Sequence, residues 1–198
     1  MQEHPDLPHD RPFAPEKKRG RRIRRTTKAV VVFMVFAMPA AGSILVMIEA
    51  LYNGQNGILG LRGASGVAVS GDGRNIYTVG SLDDAVSVFE RDDETGTLSF
   101  LESHHNGIDG VENLTSPTDI VVSPDGRHVY VTSELDDSLA VFRRASFGRL
   151  GFVDSYVSGV DGIWGIGGAS AVTVSHDGTL VYVTGRHEDS LAVFSRTP

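Results

Sequence analysis

The sequence predicts an all-β fold, a partial, three-blade β-propeller of four-stranded antiparallel blades, preceded by a disordered basic tail and a hydrophobic signal or anchor segment. Three observations carry this reading. One stretch is written three times, from Ser70 to Phe89, Ser123 to Phe142 and Ser175 to Phe194, with its starts 53 and 52 residues apart. A repeat of this length marks an array of like supersecondary units. Within each copy the apolar residues alternate, as in half-buried strands. Ser-x-Asp-Gly and paired acids then separate the alternating runs as turns.

Residues 1–28 are rich in Pro, Arg and Lys and end in the run Lys17 to Lys28, so they bury too little apolar surface to fold and read as a solvated, cytoplasmic basic tail. No charge appears from Ala29 to Ile48. A basic cluster followed by twenty apolar-dominated residues is the pattern of a membrane-inserting segment with a cytoplasmic N-terminus. Shifting Leu98 to Glu102 back by 53 lands on Leu45 to Glu49, which assigns the second half of that run to the repeat. Residues 29–41 then have the length of a signal-peptide core. Two readings stay open, a cleaved signal peptide or an anchor made by residues 29–48. Either makes the body extracytoplasmic, periplasmic or secreted.

The repeat body is expected over residues 43–198. An outer strand is read at 45–52, followed by blades at 66–103 and 118–155 and a partial blade at 170–196. Inner strands end at Val69, Val122 and Val174, and Asp-Gly then turns the chain into a second strand carrying Tyr77, Tyr130 or Tyr182. A third strand closes at Phe89, Phe142 and Phe194. Fourth strands run from Leu98 to Ser103 and from Leu150 to Ser155, and Gly-rich crossings lead to the next unit. The aromatic residues are packing residues between blade faces. A β-solenoid would need a shorter repeat, and a sandwich would not repeat internally.

Charge divides the chain. Nine of the 18 Lys+Arg lie in residues 1–28, which leaves the remaining chain 9 basic and 21 acidic groups, a formal −12. An acidic body repels phosphates, which argues against nucleic acid as a partner. Without cysteine there is no disulfide, thiolate nucleophile or Cys-based zinc site. No phosphate-cradling glycine motif precedes a helix and no cofactor is implied.

Few residues carry candidate chemistry. The turn acids Asp83 and Asp84, Asp136 and Asp137, and Glu188 and Asp189 should emerge with the crossings on one face. That face could hold a divalent cation or a cationic partner, although solvated turn carboxylates explain the same pattern. Asp72, Asp125 and Asp177 are turn residues, and His104 and His105 end an outer strand. Arg186 and His187 break the acidic pattern of the equivalent turns and are the candidate catalytic pair, His187 as base and Arg186 as electrophile.

The segments Ser123-Pro-Asp-Gly-Arg-His-Val-Tyr-Val-Thr132 and Val181-Tyr-Val-Thr-Gly185, with the Val-Phe-x-Arg closings at Arg91, Arg144 and Arg196, make the chain resemble the lactonase-type β-propellers and the related Tyr-Val-Thr-Asn repeat propellers. The resemblance covers about residues 43 to 196 and implies either a ligand- or protein-binding scaffold or hydrolysis of a sugar lactone. It transfers no catalytic residue, because these motifs are turn and packing positions. Members typically have seven blades and this chain has three. A truncated, non-functional fragment of a longer propeller would account for that, and so would a homodimer in which each copy lends its first strand to the other's last blade, closing a six-bladed ring.

Overall fold

The computed structural model describes residues 45–197. They belong to the second of two compact units, which begins at Leu45. The expected tail at 1–28 and apolar segment at 29–41 lie outside the described residues. Among those described, no helix is long and apolar enough to cross a membrane.

The fold is all-β. The first blade contains β1 (Ala64–Val69), β2 (Asn75–Gly80), β3 (Ala85–Arg91) and β4 (Leu98–His105). The second contains β5 (Pro117–Val122), β6 (His128–Ser133), β7 (Ser138–Arg144) and β8 (Leu150–Val157), and the third β9 (Ala169–Val174), β10 (Leu180–Gly185) and β11 (Ser190–Ser195). Every blade is an antiparallel meander in sequence order, the arrangement short turns permit. The innermost strands β1, β5 and β9 stand side by side. A 3-10 turn at Ser146–Gly148 is the one helical element among the described residues.

Apolar side chains fill the seams between blades. One cluster joins Tyr77, Val79 and Val88 of the first blade to Val129, Val131 and Phe142 of the second. Another joins Tyr130, Leu139 and Val141 of the second to Val172, Val181 and Val183 of the third. β7 is therefore buried at five consecutive positions, whereas β11, covered on one face, alternates half-buried and exposed. Phe89 meets Phe100 and Phe142 meets Phe152 edge to face across the third and fourth strands, with centroids 5.6 Å apart in both pairs.

Residues 45–52 differ from the sequence reading. They form no strand, because they join no backbone ladder with any described strand. They nevertheless hold a blade position. Glu49 Oε1 accepts the Leu98 N–H at 2.5 Å, as Glu102 Oε1 one blade later accepts the Leu150 N–H at 2.8 Å. The Asn53 amide oxygen accepts from Leu61 N, and that of Asn106 from Leu114 N.

The hairpins also depart in detail. In Ser-x-Asp-Gly only the glycine is left-handed, as at Gly73 with φ 72°. The aspartate instead ties the turn. Asp72 Oδ1 accepts from Ser70 Oγ at 2.5 Å and from Arg74 N at 3.1 Å, and Asp125 and Asp177 repeat both bonds. This is the local side-chain-to-backbone bonding that favours aspartate in turns.

Candidate functional site

The turns between second and third strands share a face with the crossings between blades. Backbone bonds fix this: Leu82 N donates to Arg62 O, Glu134 N to Ser116 O and His187 N to Gly167 O. The acids of these turns serve the same join. Asp83 Oδ2 accepts from Arg62 N, Asp136 Oδ2 from Thr115 N and Glu188 Oε2 from Gly165 N, each binding the crossing that enters its own blade. The second acid reaches forward, Asp84 Oδ1 to Ser116 N at 2.8 Å and Asp137 Oδ1 to Gly168 N at 2.6 Å. Asp84, Asp137 and Asp189 also lie at φ near 50°, a left-handed conformation that aspartate tolerates better than most residues.

Asp83, Asp84, Asp136 and Asp137 are thus distributed along the blade joins as acceptors for backbone N–H groups. No group of three or more His, Asp or Glu is poised for a metal ion among the described residues. His104 and His105 do not lie at a bare edge. His104 Nε2 is 3.1 Å from Glu102 Oε1 and its ring packs against Phe142, while the two nitrogens of His105 meet Ser103 Oγ and Asp83 O.

The third blade's turn carries the candidate pair. Arg186 forms an ion pair with Glu134. The His187 ring lies between two carboxylates, Nε2 3.8 Å from Glu134 Oε1 and Nδ1 3.7 Å from Asp137 Oδ1. Gly168 brings the crossing loop against this ring: a Cβ there would stand 2.6 Å from it. The structure therefore gathers Glu134, Asp137, Arg186 and His187 at one seam of the face, with Arg186 and His187 both more than half exposed. Sequence reasoning missed Glu134. It lies 53 residues before His187 and on another blade, and only blade packing brings the two together.

On the opposite side, the closing arginines join successive blades. Arg144 reaches back into the first blade, Nε to Tyr77 Oη at 2.7 Å and Nη2 to Asp72 Oδ2 at 3.0 Å. Arg196 does the same in the second, Nε to Tyr130 Oη at 2.9 Å and Nη2 to Asp125 Oδ2 at 2.6 Å. Tyr77 Oη in turn donates to Gly148 O at 2.8 Å. Hydrogen bonding from Ser70, with help from Arg74 N and Arg144, lowers Asp72 from 3.8 to about 2. For Asp125, burial opposes the charge but bonds from Ser123 and Arg196 outweigh it, and its carboxyl is held well below the usual range. Burial, then the nearby Arg196 charge, depresses His128, whose Nδ1 lies 3.1 Å from Arg196 Nη2. Burial raises Tyr77 and Tyr130. The matched spacing of the arginines and turn aspartates, 53 and then 52 residues, was the available sign of this clamp.

Comparison with known proteins agrees with the fold. The family described as Lactonase, 7-bladed beta-propeller, matches residues 59–164 and 111–198. An uncharacterised protein of Staphylococcus epidermidis is 33% identical over 85 residues, 42% of this chain and 24% of that protein. Among solved structures, one assigned as a 6-phosphogluconolactonase from Bacteroides uniformis superposes with TM-score 0.58 at 21% identity, over 71% of this chain and 42% of its own. The periplasmic gluconolactonase of Pseudomonas aeruginosa gives TM-score 0.53 at 28% identity, over 67% of this chain and 35% of its own. The chain thus spans about a quarter of that curated relative and less than half of these structures. With three successive blades built on one repeat and a family match running from residue 59 to 198, the chain belongs to the lactonase family of seven-bladed β-propellers.

Proposed function

We propose that the protein acts on a sugar lactone at the seam where the third blade's turn, carrying Arg186 and His187, meets Glu134 and Asp137 of the second blade, with His187 as the base. The carrying observation is the gathering of these four residues in a chain of the lactonase family. Asp137 orients the imidazole from the Nδ1 side, Nε2 takes a proton from water as the water oxygen attacks the lactone carbonyl, and the imidazolium returns that proton to the ring oxygen as the ring C–O bond breaks. The Arg186 guanidinium, released from Glu134 toward the substrate, stabilises the oxyanion. The opened ring leaves as a hydroxy acid. The names of the Pseudomonas and Bacteroides proteins support the choice of a gluconate-type lactone.

A second reading is a binding or scaffold module. The exposure of Arg186 and His187 favours it, because an enzyme encloses its reacting groups more fully. One experiment separates the two. Proton release from glucono-δ-lactone and from its 6-phosphate is followed with the full chain and with His187→Ala, above the spontaneous rate. Turnover that falls about a hundredfold or more in the variant supports hydrolysis. No turnover, with lactone binding retained by calorimetry, supports the binding module.

We also infer that the body works outside the cytoplasm. The basic cluster followed by the uncharged run from Ala29 to Ile48 supports this. Protease added to spheroplasts should cleave the body, unless the body is already found in the medium, and a body protected inside spheroplasts would overturn the placement.

A further inference from the structure

We propose that the seam around Arg186 and His187 selects its lactone by charge, accepting uncharged sugar lactones and rejecting those that carry a phosphate or a carboxylate. This selection presupposes the hydrolysis proposed above.

An anionic substituent is held by guanidinium or ammonium groups and by backbone N–H groups that have no other acceptor. The seam is short of both. Its two turns, residues 133–137 of the second blade and 185–189 of the third, carry Glu134, Asp136, Asp137, Glu188 and Asp189 against a single Lys or Arg, which is Arg186. The crossing between these blades, residues 158–168, adds Asp161 and no basic residue. The inner strand β5 adds Asp119, whose Oδ2 accepts from Val172 N at 3.0 Å across the same seam.

Donors along the crossing are already claimed. Glu188 Oε2 accepts from Gly165 N and Asp137 Oδ1 from Gly168 N, each at 2.6 Å. Glu188 Oε1 also accepts from the Ser158 hydroxyl at 2.8 Å. Arg186 N and His187 N donate to Gly168 O and Gly167 O. Arg186 itself pairs with Glu134, and the reaction releases it only to the carbonyl oxygen. A phosphate monoester brings about −1.5 to −2 charges at neutral pH. To bind here it would have to displace carboxylates from their donors while lying in their field, and like charges placed together are a means of refusing a ligand.

The same field acts on the product. Water adds to an uncharged lactone and yields a hydroxy acid, whose acid proton passes to solvent. The ligand thus enters neutral and leaves as an anion that the surrounding carboxylates repel. Selection and product release then have one cause.

Proton release by the full chain is followed on glucono-δ-lactone, on its 6-phosphate and on a glucarolactone, whose second acid group is ionised, each above its own spontaneous rate. At low salt kcat/KM for the uncharged lactone should exceed that for either anionic one by about tenfold or more. Raising the ionic strength from about 0.02 M to about 0.5 M should narrow the gap, because salt screens exposed charges. Asp136→Asn combined with Asp189→Asn removes two charges, keeps an acceptor for Thr115 N and keeps a side chain that tolerates the left-handed backbone at residue 189. It should leave turnover of the uncharged lactone unchanged and raise that of the anionic ones about threefold or more. An anionic lactone turned over as fast as the uncharged one, or a gap that neither salt nor the double substitution alters, would overturn the selection and leave hydrolysis standing. No turnover of any lactone would overturn hydrolysis and the selection with it.

Discussion

At the scale of single residues, the tyrosines of the second strands show how one atom joins two blades. Tyr77 is fully buried, and its hydroxyl both donates to Gly148 O and accepts from Arg144 Nε. Tyr77→Phe keeps the ring and leaves a carbonyl and a guanidinium short of a partner. The cost should be about 1–3 kcal/mol in urea unfolding. Among the described residues Tyr130 makes only the Arg196 contact of this kind, so Tyr130→Phe should cost less. Equal effects would mean that the Gly148 bond contributes nothing.

At the scale of elements, the turn after β6 sets blade spacing through Asp137. It requires a left-handed backbone at φ 50° and an acceptor for Gly168 N at 2.6 Å. Asn supplies both, whereas Ala supplies neither. Asp137→Ala should therefore destabilise the chain by about 1–2 kcal/mol, and Asp137→Asn should recover most of that loss in thermal unfolding. Strand order, turn positions and the packing role of the aromatic residues were legible in the sequence because period-two alternation and turn chemistry are local. The partners of the turn acids were not. Asp83 and Asp136 read as solvated carboxylates or cation ligands, yet they bind backbone N–H groups 21 residues earlier. Residues 45–52 carried a strand's sequence, but strand formation depends on a neighbour that the segment's own residues cannot supply. Arg186 and His187 were visible as exceptions to a pattern, while Glu134 becomes their companion only through packing across a seam.

For the molecule as a whole, titration should narrow the range of stability from both sides. His128 holds its proton less firmly folded than unfolded, so acidification below about 6.5 favours the unfolded chain. Asp72 continues the trend. Its folded value of about 2 against 3.8 means that stability present above 3.8 is lost as the pH falls toward 2. Asp125 acts in the same direction. Tyr77 and Tyr130 are raised above 10.0, so stability declines again as the pH rises past that value. Urea midpoints from about pH 2 to about pH 11 should trace a plateau with two falling flanks. An acid flank unchanged in Arg144→Ala would show that Asp72 owes nothing to the clamp.

The clamps also impose an order in time. Asp72 receives its guanidinium from Arg144, 72 residues further along the chain. As the chain emerges N-terminus first into the compartment where it folds, the first blade appears with that carboxylate and the Tyr77 hydroxyl still unclaimed, and it is secured only when the second blade is nearly complete. Assembly therefore runs one blade behind emergence, and a halt once Arg144 is clear would let the first seam set before the second begins to form.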